Sequence, residues 1–227
     1  MNRRQFLKRS AYSGAALAAW GPYARASNAA ALPKRPYGKT GVKLSVIGFG
    51  GIVVKDVEQK QANRIVAESF ERGVNYYDVA PSYGDAQEKL GPALEPYRKA
   101  SFLACKTTER QREGAQKEFE ESLELLRTDH FDLYQLHAIH DVEEDVDAAF
   151  AEDGVMNYLL ERKKAGQIRF LGFSAHSMAA ALAALDKLSE SQDEVLGTEA
   201  AKALSSMNKR VSGRVGQLEW MLENGRY

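Results

Sequence analysis

The sequence predicts an α/β protein in which helices cover a parallel β-sheet. From Leu32 onward, apolar runs of strand length alternate with segments of helical periodicity. The runs are almost continuously apolar, which is typical of strands buried on both faces of a parallel sheet. A closed barrel and an open doubly wound sheet both give this alternation, so the pattern alone leaves the two architectures open.

The predicted elements follow one another in a regular order. Turn residues in Tyr-Gly-Lys-Thr-Gly-Val, residues 37–42, predict a hairpin. Gly73 is placed to end the first helix. Five apolar runs predict buried strands at 44–49, 74–79, 102–106, 131–137 and 168–173. Helical spacing predicts helices at 57–72, 86–94, around 119–127 and at 155–164.

Composition and charge exclude several classes of protein. The 227 residues include 31 basic and 31 acidic side chains, and residues 27–227 alone carry a net charge of about −5, which offers no electrostatic footprint for nucleic acid. No apolar run approaches the roughly 20 residues that a stable membrane span needs. The single cysteine, Cys105, excludes an internal disulfide framework and a cysteine-built metal site.

Residues 1–26 have the features of an export signal. A basic start that contains Arg-Arg precedes an apolar stretch rich in Ala and Gly, and Ala-Arg-Ala follows, ending at Ala26. This order resembles a twin-arginine signal, although Asn2 stands where Ser or Thr is common. The resemblance implies passage through the twin-arginine export machinery, cleavage after Ala26 and a periplasmic location. A retained amphipathic membrane anchor is the alternative.

Four polar side chains are placed near the ends of predicted strands. Asp78, Lys106 and His137 lie at the C-terminal ends of the second, third and fourth strands, and Tyr83 follows Asp78 in the next loop. Because such strand ends meet at one face of a parallel sheet, we expect the four to surround one pocket. Singly, each has a structural interpretation: a helix cap, a surface tyrosine, a solvated lysine and a core histidine. Their joint placement favours proton chemistry.

Two further features have simpler interpretations. His137 and His140, with Asp141 beside them, have the spacing of metal ligands but lack further partners. Cys105 precedes Lys106 on a buried strand, so its side chain is predicted to face the opposite side of the sheet as inert packing.

The sequence around these positions resembles the aldo-keto reductase family. Asn-Tyr-Tyr-Asp-Val-Ala-Pro-Ser-Tyr-Gly at 75–84, followed by Glu-Lys-Leu-Gly at 88–91, is similar to the central signature of that family. The resemblance runs from about Leu32 to Ala184 and implies a (β/α)8 TIM barrel. Further motifs similar in type and order are Gly-Lys-Thr-Gly at 38–41, Gly-Phe-Gly-Gly at 48–51, Cys-Lys-Thr at 105–107, Asp-Leu-Tyr-Gln-Leu-His at 132–137 and Gly-Phe-Ser at 172–174.

The resemblance implies hydride transfer between a nicotinamide cofactor, usually NADPH with NAD left open, and a small-molecule aldehyde, ketone or alcohol. A carbonyl that receives hydride develops negative charge on oxygen, and Tyr83 matches the general acid that supplies the proton. Lys106 matches a cation that favours the ionised phenol, and Asp78 matches the carboxylate that holds the ammonium. His137 would donate a hydrogen bond to the carbonyl oxygen. No metal is required.

The resemblance also implies where the cofactor binds. It assigns Gly50, Gly51 and Ile52 to the first loop beside the cofactor, and Ser174 to the nicotinamide amide. The family commonly has Asn after that serine, whereas this chain has Ala175.

The predicted barrel is incomplete. A complete barrel has eight strands in about 250 residues, and this sequence predicts five. Residues 189–227 are polar and helical in pattern, without counterparts of the last three strands or of the loops that hold the cofactor phosphates in the family. The sequence therefore predicts a signal peptide at 1–26, a partial barrel at 27–188 and a helical tail at 189–227. The alternative function is a catalytically impaired or non-enzymatic remnant.

Overall fold

A computed structural model describes residues 32–223 of the chain, and the predicted signal at 1–26 lies outside the described residues. A two-stranded antiparallel hairpin comes first, formed by β1 (Lys34–Pro36) and β2 (Lys43–Ser45). Its turn is closed by the amide of Tyr37, which donates a 2.8 Å hydrogen bond to the carbonyl of Val42. The predicted hairpin is therefore confirmed.

Within residues 32–223, five parallel strands follow the hairpin and form one sheet. They are β3 (Phe49–Gly50), β4 (Tyr76–Asp78), β5 (Phe102–Thr107), β6 (Phe131–Ile139) and β7 (Ile168–Ala175). The order of the strands across the sheet is their order along the chain. This order favours the wall of a barrel, because a doubly wound sheet reverses its strand order at a switch point. Among the described residues the sheet does not close on itself, so the architecture is that of an incomplete (β/α)8 barrel.

Helices connect the strands and continue after the last of them. They are α1 (Gln59–Glu71), α2 (Ala86–Leu94), α3 (Arg112–Leu125), α4 (Ala148–Phe150), α5 (Val155–Lys164), α6 (Met178–Ser189) and α7 (Glu194–Glu223). Gly73 has a φ of 96° just beyond α1, the left-handed conformation that lets glycine end a helix. The helical pattern predicted after residue 189 is confirmed over the described part of α7.

The two faces of the sheet have different surroundings. On one face, residues such as Tyr77, Leu103 and Tyr134 are fully buried against the helices. On the other face, the smaller cluster around Phe102 is covered by the hairpin, because the Tyr37 ring packs edge-on against Phe102 at 5.7 Å. The hairpin thus covers the inner face near the start of β5, and the C-terminal ends of the strands lie away from it.

The apolar run at 44–49, predicted as one strand, is divided in the structure. Its first residues belong to the hairpin, and only Phe49 and Gly50 join the parallel sheet. Val46 and Ile47 between them are 43% and 57% exposed. The division has a local cause: the hydroxyl of Ser45 donates to the carbonyl of Ile47 at 2.7 Å and bends the chain.

No helix among the described residues combines the length and the apolar character that crossing a membrane requires.

Candidate active site

Asp78, Lys106 and Tyr83 lie in contact at the C-terminal ends of two neighbouring strands. Asp78 is the last residue of β4, and Lys106 is the penultimate residue of β5, which pairs with β4. The Lys106 ammonium is buried and donates a hydrogen bond to Oδ1 of Asp78. Its Nζ also lies 3.4 Å from the hydroxyl oxygen of Tyr83. A positive charge therefore stands beside the phenol, and a carboxylate holds it there.

The second oxygen of Asp78 is held by two residues that the sequence analysis missed. Oδ2 accepts a 2.8 Å hydrogen bond from the hydroxyl of Tyr76 and a 3.4 Å hydrogen bond from the amide of Gln135. Burial and the adjacent carboxylate raise the pKa of Tyr76, so its hydroxyl keeps the proton that it donates. The interpretation of Asp78 as a helix cap is wrong, because its carboxylate bonds these side chains and Lys106.

A period of two along each strand could have identified both missed residues. Tyr76 lies two positions before Asp78, and Gln135 lies two positions before His137, so each shares a face with a predicted site residue. The polar character of Gln135 inside an otherwise apolar strand was the stronger signal.

His137 completes the predicted set. Its ring packs edge-on against Tyr83, with centroids 5.8 Å apart and an angle of 82° between the planes. Its Nδ1 lies 3.2 Å from the hydroxyl oxygen of Ser82. Burial, and after it the charge of Lys106, lowers the pKa of His137, which favours a neutral ring at pH 7. If Ser82 donates to Nδ1, the ring proton stays on Nε2 and can be given in a hydrogen bond.

The four cofactor residues that were predicted have different surroundings. Gly50 pairs with Asp78 in the sheet, and a Cβ built on it would meet no atom within 4 Å. A Cβ on Gly51 would instead lie 2.8 Å from the side chain of Val79, so this glycine serves close packing. Ile52 is 54% exposed on the helical turn that follows β3.

Ser174, the fourth of them, lies on β7. Its hydroxyl oxygen accepts a 2.8 Å hydrogen bond from the amide of Ala138 and can still donate its own proton. Open space beside Gly50 and a free donating capacity at Ser174 both fit a bound nicotinamide amide. Gly50, Gly51, Ile52 and Ser174 therefore stay the residues that could hold the cofactor, Gly51 through its backbone.

The structure also shows the surroundings of His140, which has the spacing of a metal ligand with His137, and of the single cysteine, Cys105. His140 stacks on His176 with ring centroids 4.7 Å apart, and within residues 32–223 no three His, Cys, Asp or Glu side chains are grouped to hold a metal ion. Cys105 is fully buried in the core on the helix-covered face, and burial raises the pKa of its thiol to about 12. The prediction of Cys105 as inert packing is confirmed.

An aspartate, a tyrosine, a lysine and a histidine lie together at the C-terminal edge of a barrel wall. This combination of fold and side chains is that of a barrel oxidoreductase, and a comparison with family sequence profiles points to the same class. The chain belongs to the aldo/keto reductase family, whose profile matches residues 46–196.

Individual relatives agree with this assignment. The chain is 31% identical to L-galactose dehydrogenase of Arabidopsis thaliana over 156 residues, which cover 62% of this chain and 47% of that enzyme. It is 30% identical to aldo-keto reductase YhdN of Bacillus subtilis over 161 residues, covering 61% and 46% of the two chains. The holo form of aldo-keto reductase AKR11C1 from Bacillus halodurans superposes with a TM-score of 0.60 at 27% identity, covering 69% of this chain and 54% of that one. The chain thus spans about half the length of the relatives it matches.

Proposed function

We propose that the protein is an NADPH-dependent oxidoreductase that reduces an aldehyde or ketone, or oxidises the corresponding alcohol. The observation that carries this proposal is the contact of Lys106 with both Asp78 and Tyr83. Family membership supports the general reaction. The choices of NADPH over NADH and of an aldehyde or ketone as substrate belong to the proposal.

The chemistry of the proposed site follows from the positions of its own side chains. As hydride adds to the carbonyl carbon, Tyr83 donates its proton to the carbonyl oxygen, which becomes the alcohol. The phenolate left on Tyr83 is stabilised by the Lys106 ammonium 3.4 Å away. Asp78 keeps that ammonium in place, and the phenolate then takes a proton from solvent, which restores the phenol. His137 donates a hydrogen bond to the same carbonyl oxygen and fixes its position.

Gly50, Gly51, Ile52 and Ser174 are proposed to hold the nicotinamide end of the cofactor. A bound reduced nicotinamide supplies the hydride. The Ser174 hydroxyl would donate to the carboxamide, and the open surface beside Gly50 would admit the ring next to Asp78.

A direct test is to titrate NADPH against the purified protein and follow the nucleotide fluorescence. We expect a saturable change for the wild type. Gly50→Val is the matched variant: Gly50 has a φ of −78°, which valine can adopt, and its Cβ position is open, so the variant should fold and weaken binding at least tenfold. Unchanged binding by Gly50→Val would show that the nucleotide does not lie beside β3.

The second candidate function is a catalytically impaired or non-enzymatic remnant of such an enzyme. It is favoured by the sheet, which has five parallel strands over the described residues, whereas a complete barrel has eight. The division into a partial barrel at 27–188 and a helical tail at 189–227 belongs to this proposal. Absence of any saturable NADPH signal from a folded wild-type chain would favour the remnant.

We further propose that residues 1–26 direct export to the periplasm through the twin-arginine machinery. The paired arginines, the Ala- and Gly-rich stretch and the Ala-Arg-Ala site support this. In a bacterial host, the intact mass of the exported protein should correspond to a chain that begins at Ser27. Changing Arg3 and Arg4 to Lys keeps the charge and should abolish export. Exported protein that still begins at Met1 would contradict the proposed cleavage.

A further inference from the structure

The backbone immediately after His137 has an unusual conformation. Ala138 has a φ of 54°, in the left-handed region that residues with a side chain seldom adopt. The pairing of β6 with β7 shifts register between Leu136 and Ile139, which places a bulge at this point. Bulges of this kind redirect side chains next to functional sites. A strained conformation persists only where its surroundings hold it, so we expect specific contacts to hold the peptide bond between His137 and Ala138.

Two side chains hold the peptide from opposite directions. The hydroxyl of Ser174 accepts a 2.8 Å hydrogen bond from the amide of Ala138. The guanidinium of Arg110 donates a 2.7 Å hydrogen bond from Nη2 to the carbonyl of His137. Both polar groups of the peptide bond between His137 and Ala138 are therefore held by side chains. The direction in which the imidazole of His137 leaves the strand is fixed as a result.

Arg110 is in turn held by Asp145. Its Nε donates a 2.8 Å hydrogen bond to Oδ1 of Asp145, and both side chains are mostly buried. The other carboxylate oxygen accepts from the amides of His140 and Asp141 at 2.7 and 2.9 Å. Burial alone would raise the pKa of Asp145, but the hydrogen bonds from these two amides and from Arg110 prevail and lower it. One ionised carboxylate thus joins Arg110 to the chain just beyond the bulge.

We propose that Arg110 and Asp145 are positioning residues for the imidazole of His137. They fix the left-handed peptide at Ala138 and thereby keep the ring against Tyr83, although neither side chain is among those that contact the reacting oxygen in the proposed reaction. The expected effect of these residues on the reaction rests on the proposed function. Their expected effect on the position of His137 does not, because it depends only on contacts within the protein.

The test compares two arginines that lie two residues apart. Arg110→Met removes the proposed positioning contact, whereas Arg112→Met removes an exposed ion pair in which Arg112 donates to both oxygens of Glu161 at 3.0 and 2.6 Å. For Arg110→Met we expect kcat to fall about 10–100-fold, as for a small misplacement of a reacting group, with NADPH affinity unchanged. Arg110→Lys can still donate to the His137 carbonyl and should recover much of that loss. Arg112→Met should match the wild type.

The second readout is the proton NMR spectrum of the histidine rings, which needs no cofactor. The sequence has four histidines, and the His137 signals can be assigned from their absence in His137→Gln. In the wild type the adjacent Tyr83 ring shifts these signals. In Arg110→Met they should move towards the positions of a freely exposed histidine, and in Arg112→Met they should not. Asp145→Asn should produce the same movement to a smaller extent, and it serves as the test variant if Arg110→Met does not fold.

Unmoved His137 signals in Arg110→Met, or in Asp145→Asn in its place, would overturn the inference. So would an equal fall of kcat in Arg110→Met and Arg112→Met. A wild-type protein without turnover would refute the proposed function instead, and the NMR comparison would still decide the positioning role.

Discussion

Replacing Tyr83 with Phe is expected to lower the rate of carbonyl reduction by about 10²–10⁴-fold, the usual contribution of a positioned general acid. The ring would remain to pack against His137, and Lys106 would keep its hydrogen bond to Asp78. Only the hydroxyl that is proposed to donate the proton is lost. Binding of NADPH should therefore stay within about twofold of the wild type, because the proposed role of this hydroxyl is in the chemical step and not in holding the nucleotide.

The rate is measured as NADPH consumption with a panel of aldehydes and ketones, and binding by nucleotide fluorescence. Tyr97→Phe is the matched control, because Tyr97 stacks on Phe70 at 4.4 Å between the ring centroids and is not part of the site. Tyr97→Phe should leave both the rate of NADPH consumption and the affinity for NADPH unchanged. A Tyr83→Phe protein that retains wild-type turnover would reject Tyr83 as the acid.

Replacing Asp78 with Asn is expected to lower the free energy of unfolding by about 3 kcal/mol, at the lower end of the cost of removing one partner from a buried ion pair. The Lys106 side chain is 6% exposed, so its ammonium would lose its countercharge in a place that water hardly reaches. The value lies at the lower end because Asp78 itself keeps 22% of its side-chain surface exposed.

Urea unfolding of the wild type and the variants measures this loss. The double variant Asp78→Asn with Lys106→Met removes both charges and should be more stable than Asp78→Asn alone. Glu95→Gln breaks the exposed pair with Arg127 and should change the free energy of unfolding by less than about 1 kcal/mol. If the double variant is less stable than Asp78→Asn, the ammonium is not the source of the loss.

The candidate site was predictable from sequence because most of its polar side chains lie near strand ends. Asp78, Lys106 and His137 each end or nearly end an apolar run, and parallel pairing brings such positions together whatever the loops do. Tyr83 was found because it follows Asp78 by only five residues. The placement of Asp78, Lys106 and His137 depends on the parallel pairing of their strands, and Tyr83 joins them from the short loop that follows β4.

Other parts of the site depend on contacts that no local pattern encodes. Arg110 and Asp145 are 35 residues apart in the chain and meet only through the fold. The left-handed conformation of Ala138 gives no signal in sequence, because alanine is an ordinary residue for a regular strand. In the same way, the apolar character of residues 44–49 predicted one strand, whereas the side-chain hydrogen bonding of Ser45 divides it.

The order of the strands across the sheet determines which residues local unfolding would displace first. Over the described residues, Asp78, Lys106 and His137 lie on three consecutive inner strands, β4, β5 and β6, and the sheet has one further strand on either side. The outermost strands carry Gly50 and Ser174. Fraying at either margin would thus first displace Gly50 or Ser174, which are proposed to hold the nucleotide. Asp78, Lys106 and His137, which are proposed to act in proton transfer, would stay together on the inner strands.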